Sequence, residues 1–153
     1  MKKTIGVLIM FALLLSCSNN AKRHEFSLDE LQKRTFRYFW ETADPVTNLI
    51  PDRWPTTSFS SIAAQGFGYA AWIIGIEKGW VTREEVALRV KNSLKFLYQL
   101  PQESQTTNIA GYKGFFYHFL DMKTGYRFKQ VELSSIDTGL LMAGILTCMS
   151  YFD

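Results

Sequence analysis

Two carboxylates five residues apart, Glu132 and Asp137, lie where an aromatic-rich stretch gives way to a helical pattern. Such a pair is the equipment for hydrolysis without a cofactor. Splitting a glycosidic bond takes one protonated carboxyl for the leaving oxygen and one ionised carboxyl to activate water or attack the sugar, about 6.5 to 9.5 Å apart when the product is inverted. On one continuous helix, five residues would turn the two about 140° apart, onto different faces. Both reach one site only if Glu132 precedes the helix.

The surrounding elements provide that arrangement. Gly114 to Leu120 and Tyr126 to Val131 are rich in aromatic and β-branched residues, and Asp121 to Gly125 between them has the composition of a turn, so a β-hairpin is expected. Ser134 or Ser135 then caps a helix whose apolar residues Leu140, Leu141, Ile145 and Met149 recur at helical spacing. Asp137 falls in its first turn, where the helix dipole favours an ionised carboxyl, and Glu132 beside the hairpin aromatics is expected to be held neutral by desolvation. The plainer reading is that Asp137 is a helix-terminus residue and Glu132 a solvated strand end. Neither reading assigns acid and base.

Upstream, Ser27 to Glu30 is a capping box opening a first helix to about Thr42. Residues 42 to 58 hold Pro45, Pro51 and Pro55, which stop a helix, and carry Asp44, Asp52, Arg53 and Trp54. Flat rings offer the apolar faces that pyranoses stack on, so Trp54 with Asp52 and Arg53, and Tyr117 with His118, are candidate sugar contacts. His118 reads equally as a hydrogen-bonded structural residue. Ser60 to Lys78 holds Gly66, Gly68 and Gly75 within a helical pattern, which means close approach of another helix or of a ligand. Thr82 to Glu85 is a second capping box, and its helix ends near Leu100, before Pro101.

At 47% hydrophobic and 20% charged, the chain lies far from disordered compositions. Its charge of +3 includes Lys2 and Lys3; without them 15 basic residues face 14 acidic ones, and no nucleic-acid footprint remains. Lys2 and Lys3, the apolar run Ile5 to Leu15 and the box Leu14-Leu15-Ser16-Cys17 read as a lipoprotein signal peptide over 1–16, too short to span a bilayer. Cys17 is then the lipidation site and 17–26 a tether, which places the protein in the bacterial cell envelope with only its lipid in the membrane. Cys148, left alone, reads as a core filler. With only His24 and His118, and no HExxH, CxxC or calcium-loop pattern, no metal site is expected. Gly66 and Gly68 lack the third glycine and preceding strand of a phosphate loop.

Four motifs, FRYFWE at 36–41, PDRW at 51–54, SIAAQGFGYAAW at 61–72 and the 114–141 stretch with ELSSIDT, together resemble the glycoamylase-like domain family of bacterial secreted and lipid-anchored proteins, which includes β-1,2-glucan hydrolases. The resemblance covers about residues 28 to 153. It implies an all-α fold, an incomplete (α/α)6 toroid with one inserted β-hairpin over 27–153, no cofactor, an oligo- or polysaccharide substrate, and a functional role for at least one of Glu132 and Asp137. A full toroid needs more than twice 153 residues, and the chain stops within an apolar helical pattern, so an N-terminal, inactive fragment of a glycoside hydrolase is expected. The alternative is a non-catalytic carbohydrate-binding or scaffold lipoprotein on the same toroid. Sugar release that vanishes on carboxylate neutralisation while binding persists separates the two.

Overall fold

The computed structural model describes residues 27–56 and 58–153. The expected signal peptide and tether, Cys17 included, lie outside the described residues. Four helices dominate: α1 (Leu28–Glu41), α2 (Ile62–Glu77), α3 (Arg83–Gln99) and α4 (Ser135–Phe152). Between them run four short strands: β1 (Phe59–Ser61), β2 (Gly111–Tyr112), β3 (Phe115–Phe116) and β4 (Phe119–Asp121).

Side-chain caps set the helix starts. Ser27 accepts from the Glu30 N–H, Ser61 from Ala64 and Ser134 from Asp137, and Thr82 forms a reciprocal capping box with Glu85. The helix α2 is apolar on every side because it is the inner helix, with α1, α3 and α4 all packed against it. Its glycines answer the question left open by the sequence. A Cβ on Gly66 would run into the Leu140 backbone, and one on Gly144 into the Gly66 backbone, so α2 and α4 cross with their main chains in contact. At Gly68 and Gly75 the occupied space belongs to the side chains of Ile50 and Phe36.

Tyr69, Trp72, Ile62, Leu49, Ile50, Val86 and Leu141 lie at the centre of the core. Gln65 is fully buried there, and it is satisfied: its side chain accepts from the Ile50 N–H at 3.0 Å and donates to the Asn48 carbonyl and to Ser93 Oγ. This ties the loop after α1 to α2 and α3. Cys148 is buried with its thiol pushed up to about 11 by desolvation, as a core filler would be.

The hairpin differs in detail from the expected pairing. The tightest turn is Lys113-Gly114, both at positive φ, which joins β2 to β3 as a two-residue hairpin. β4 pairs antiparallel with β1, far upstream in sequence. The expected turn at Asp121 to Gly125 does form, with Gly125 at φ 72° and Asp121 Oδ1 accepting from the N–H of Lys123 and Thr124. Its return leg builds no continuous strand over Tyr126 to Val131. Tyr126 and Phe128 bond to Asp121 and Phe119, residues 129 to 131 then loop out with Lys129 at φ 54°, and pairing resumes where Leu133 bridges Tyr117.

Candidate active site

That loop-out decides which side chain faces His118. Had the pairing of Phe119 with Phe128 continued one step, His118 would lie opposite Lys129. With three residues excluded it lies opposite Glu132, whose carbonyl accepts the His118 N–H at 2.9 Å. Ser134 N–H in turn donates to the Phe116 carbonyl, and the Phe116 N–H donates to Thr138 Oγ1 at 2.9 Å, so the start of α4 is fastened to the strand segment on both sides.

Three titratable groups meet there. His118 Nδ1 is 2.7 Å from Glu132 Oε1, and His118 Nε2 is 3.7 Å from Asp137 Oδ1. Two contacts through one imidazole hold the nearest carboxylate oxygens within about 9 Å of each other, a bound that admits both the inverting spacing and the shorter retaining one. Glu132 precedes α4 and Asp137 lies in its first turn, the arrangement that lets both reach one site. Asp137 Oδ2 accepts from the Ser134 hydroxyl, and the Asp137 N–H donates to that same Ser134 oxygen at 3.1 Å. Its side chain is 15% exposed, against 67% for Glu132.

Glu132 is not held neutral. Its backbone N–H bonds to its own carboxylate and His118 adds a second hydrogen bond, and together with the charge of Arg127 these outweigh desolvation and hold its pKa below the ordinary glutamate value. The expected desolvation fails because the hairpin aromatics stack on one another and on His118 and leave the carboxyl in solvent. The Phe119 ring lies 3.9 Å from the His118 ring, and Phe59 packs against both Phe119 and Phe128.

The sugar-contact candidates divide into two groups. Tyr117 is half-buried beneath the Arg127 guanidinium, which sits 4.2 Å from the ring centre while its Nε donates to the Val131 carbonyl. Asp52, Arg53 and Trp54 stand beyond Phe59. Arg53 pairs with Asp52 at 2.7 Å and lies over the Phe59 ring at 5.4 Å, so the row Arg53, Phe59, Phe119, His118 links this loop to the carboxylates without direct contact. Trp54 is 68% exposed and helps to line a groove with Arg37, Tyr38 and Glu41 of α1. Sequence reading missed Phe59, Phe119, Arg127 and the Ser134 to Asp137 bond. Only the last had a local signal, a Ser three residues before an acid. Among the described residues no group of three His, Cys, Asp or Glu side chains is placed to hold a metal ion.

No family model matches the chain. Over 132 residues, 82% of its length, the chain is 32% identical to an exo β-1,2-glucooligosaccharide sophorohydrolase (non-reducing end) of Parabacteroides distasonis. The chain spans 17% of that relative's length. The crystal structure of a β-1,2-glucanase from Parabacteroides distasonis matches with a TM-score of 0.70 at 32% identity, covering 82% of this chain and 18% of that one. A glucoamylase-like protein of Bacteroides uniformis matches with a TM-score of 0.69 at 33% identity, covering 85% of this chain and 32% of that one. The mostly helical body thus corresponds to part of an (α/α)6 toroid.

Proposed function

We propose, for a chain whose homologues and structural neighbours are glucoamylase-like and β-1,2-glucanase-type proteins, that it supplies the carboxylate pair of a glycoside hydrolase acting on β-1,2-linked glucooligosaccharides or glucans. The observation that carries this reading is the meeting of Glu132 and Asp137 on the two ring nitrogens of His118.

In this reaction one carboxyl delivers its proton to the glycosidic oxygen as the bond from that oxygen to the anomeric carbon breaks. The other takes a proton from water as the water oxygen attacks the anomeric carbon. Glu132, ionised and open to solvent, suits the water-activating role. Asp137 is the second carboxyl of the pair. Trp54 with Asp52 and Arg53, at the far end of the aromatic row, offers a stacking face and polar edges to a neighbouring glucosyl unit. Cys17, behind its basic and apolar leader, supplies a lipid anchor that keeps this activity in the cell envelope.

The test is product release from β-1,2-glucooligosaccharides, with β-1,3- and β-1,4-linked controls. It uses the chain and, where it is translated as part of a longer polypeptide, that polypeptide. Release from the β-1,2 substrate that falls at least about a hundredfold in both Glu132→Gln and Asp137→Asn is the expected result. Release at the wild-type level in both variants overturns the assignment. If Asp137 is the proton donor, Asp137→Asn loses much less on an aryl glucoside whose leaving group needs no proton.

A further inference from the structure

His118 was a candidate sugar contact in the sequence, yet in the structure its ring is turned to the two carboxylates, with Nδ1 as its one hydrogen-bonded nitrogen. Nδ1 is engaged by Glu132 at 2.7 Å and Nε2 faces Asp137 at 3.7 Å, while one ring face is covered by Phe119. Its main chain is fixed as well. The His118 N–H donates to the Glu132 carbonyl, and the His118 carbonyl accepts from the Ile62 N–H at the start of α2. An ionised carboxylate only accepts hydrogen bonds, so the Nδ1 atom carries the proton, and in the neutral ring Nε2 presents its lone pair to Asp137.

We propose that His118 is a positioning residue for the carboxylate pair: through a main-chain and a ring contact it clamps Glu132 in its water-activating orientation, and it sets Glu132 at a fixed offset from Asp137. This rests on the hydrolase reading for its catalytic meaning and on geometry alone for the clamp. The three-residue loop-out is what makes the clamp possible, because it replaces Lys129 by Glu132 opposite the imidazole. The charged groups around the ring are Glu132 before α4, Asp137 on α4 and, near Glu132, Arg127 on the return leg.

The clamp is read by the tautomer of His118 in long-range proton–nitrogen correlation spectra of the neutral ring. The wild-type chain is expected to hold the Nδ1–H form. Glu132→Ala removes an exposed side chain, is expected to leave the fold intact, and releases the ring to the Nε2–H form that an unconstrained neutral histidine side chain prefers in water. An Nε2–H ring in the wild type, or no change in Glu132→Ala, overturns the proposal and leaves the hydrolase reading standing.

The catalytic meaning is read in kinetics. His118→Ala is expected to lower kcat by about tenfold to a hundredfold with KM little changed, since orientation of a general base is lost while substrate contacts remain. His118→Asn, whose amide N–H occupies the place of Nδ1–H, is expected to recover much of that loss. A His118→Ala enzyme with wild-type kcat, or one whose loss lies wholly in KM, overturns the positioning role. Absence of hydrolysis by the wild type, with the tautomer switch intact, counts against the proposed function and not against the clamp.

Discussion

Lys123 reaches out of the turn after β4 and places its ammonium 2.5 Å from Asp44, a carboxylate buried in the loop after α1. Burial opposes ionisation of Asp44. The hydrogen bonds from Lys123 and from the N–H of Thr47 and Val46 outweigh it and hold the pKa below the ordinary aspartate value.

A pH dependence follows. Because the folded-state pKa lies below the unfolded value of about 3.9, the stabilisation from Asp44 is fully present above that value and is lost as pH falls through the folded value. Thermal melts between pH 7 and 2.5 should show Asp44→Asn destabilised by about 1 to 3 kcal/mol at neutral pH. The gap between variant and wild type should close in acid, and a gap that stays constant with pH would refute this account.

The α2 and α4 crossing predicts opposite outcomes for two similar changes. Gly66→Ala places a methyl against the Leu140 backbone, which has no rotamer to yield, and should cost about 1 to 3 kcal/mol. A Cβ at Gly139 meets nothing within 4 Å, so Gly139→Ala, in the same helix α4, should stabilise by up to about 1 kcal/mol. Denaturant unfolding of both variants measures the contrast.

Trp54 tests the proposed sugar face apart from the chemistry. Its ring is largely in solvent, so Trp54→Ala should leave the melting temperature within a degree or two while weakening binding of a β-1,2-glucooligosaccharide by about fivefold to tenfold, the loss of roughly 1 kcal/mol of stacking. Titration calorimetry on the Glu132→Gln background measures binding without turnover. Unchanged affinity would remove Trp54 from the site.

Lipid attachment is tested with radioactive palmitate in a bacterial host. Lys2, Lys3, the apolar run to Leu15 and Cys17 lead us to expect labelled protein, and Cys17→Ser should abolish the label. Label retained in that variant rules out Cys17 as the acceptor.

Much of the helical plan was legible in the sequence because it is written locally. Ser27, Thr82 and Ser134 cap where capping patterns stand, and Pro101 follows the end of α3. The order of Glu132 before the helix and Asp137 within its first turn was legible for the same reason. The return leg of the hairpin was not. Aromatic content gives strand propensity to Tyr126 to Val131, but the loop-out there depends on tertiary pairing with Phe116 to His118, which no local pattern encodes. The ionisation of Glu132 was misjudged for a related reason: Phe59, which draws the aromatics away from the carboxyl, comes from a strand more than 70 residues upstream. The partners of His118 were hidden in the same way, since one ring nitrogen looks to the strand segment and the other to α4.

The Gly66 and Gly144 contact also acts as an index mark between two rods. With no side chains between the backbones, α4 cannot slide by a residue or roll along α2 without driving a Cβ into a peptide unit. Asp137 lies two helical turns before Gly144 and so inherits this fixed address. The segments not threaded through the crossing, above all the Asp52 to Trp54 loop, carry no such constraint. Under the proposed function, changes in that loop, and not along the α2 and α4 seam, would alter which sugars the carboxylate pair meets while leaving the spacing of the pair unchanged.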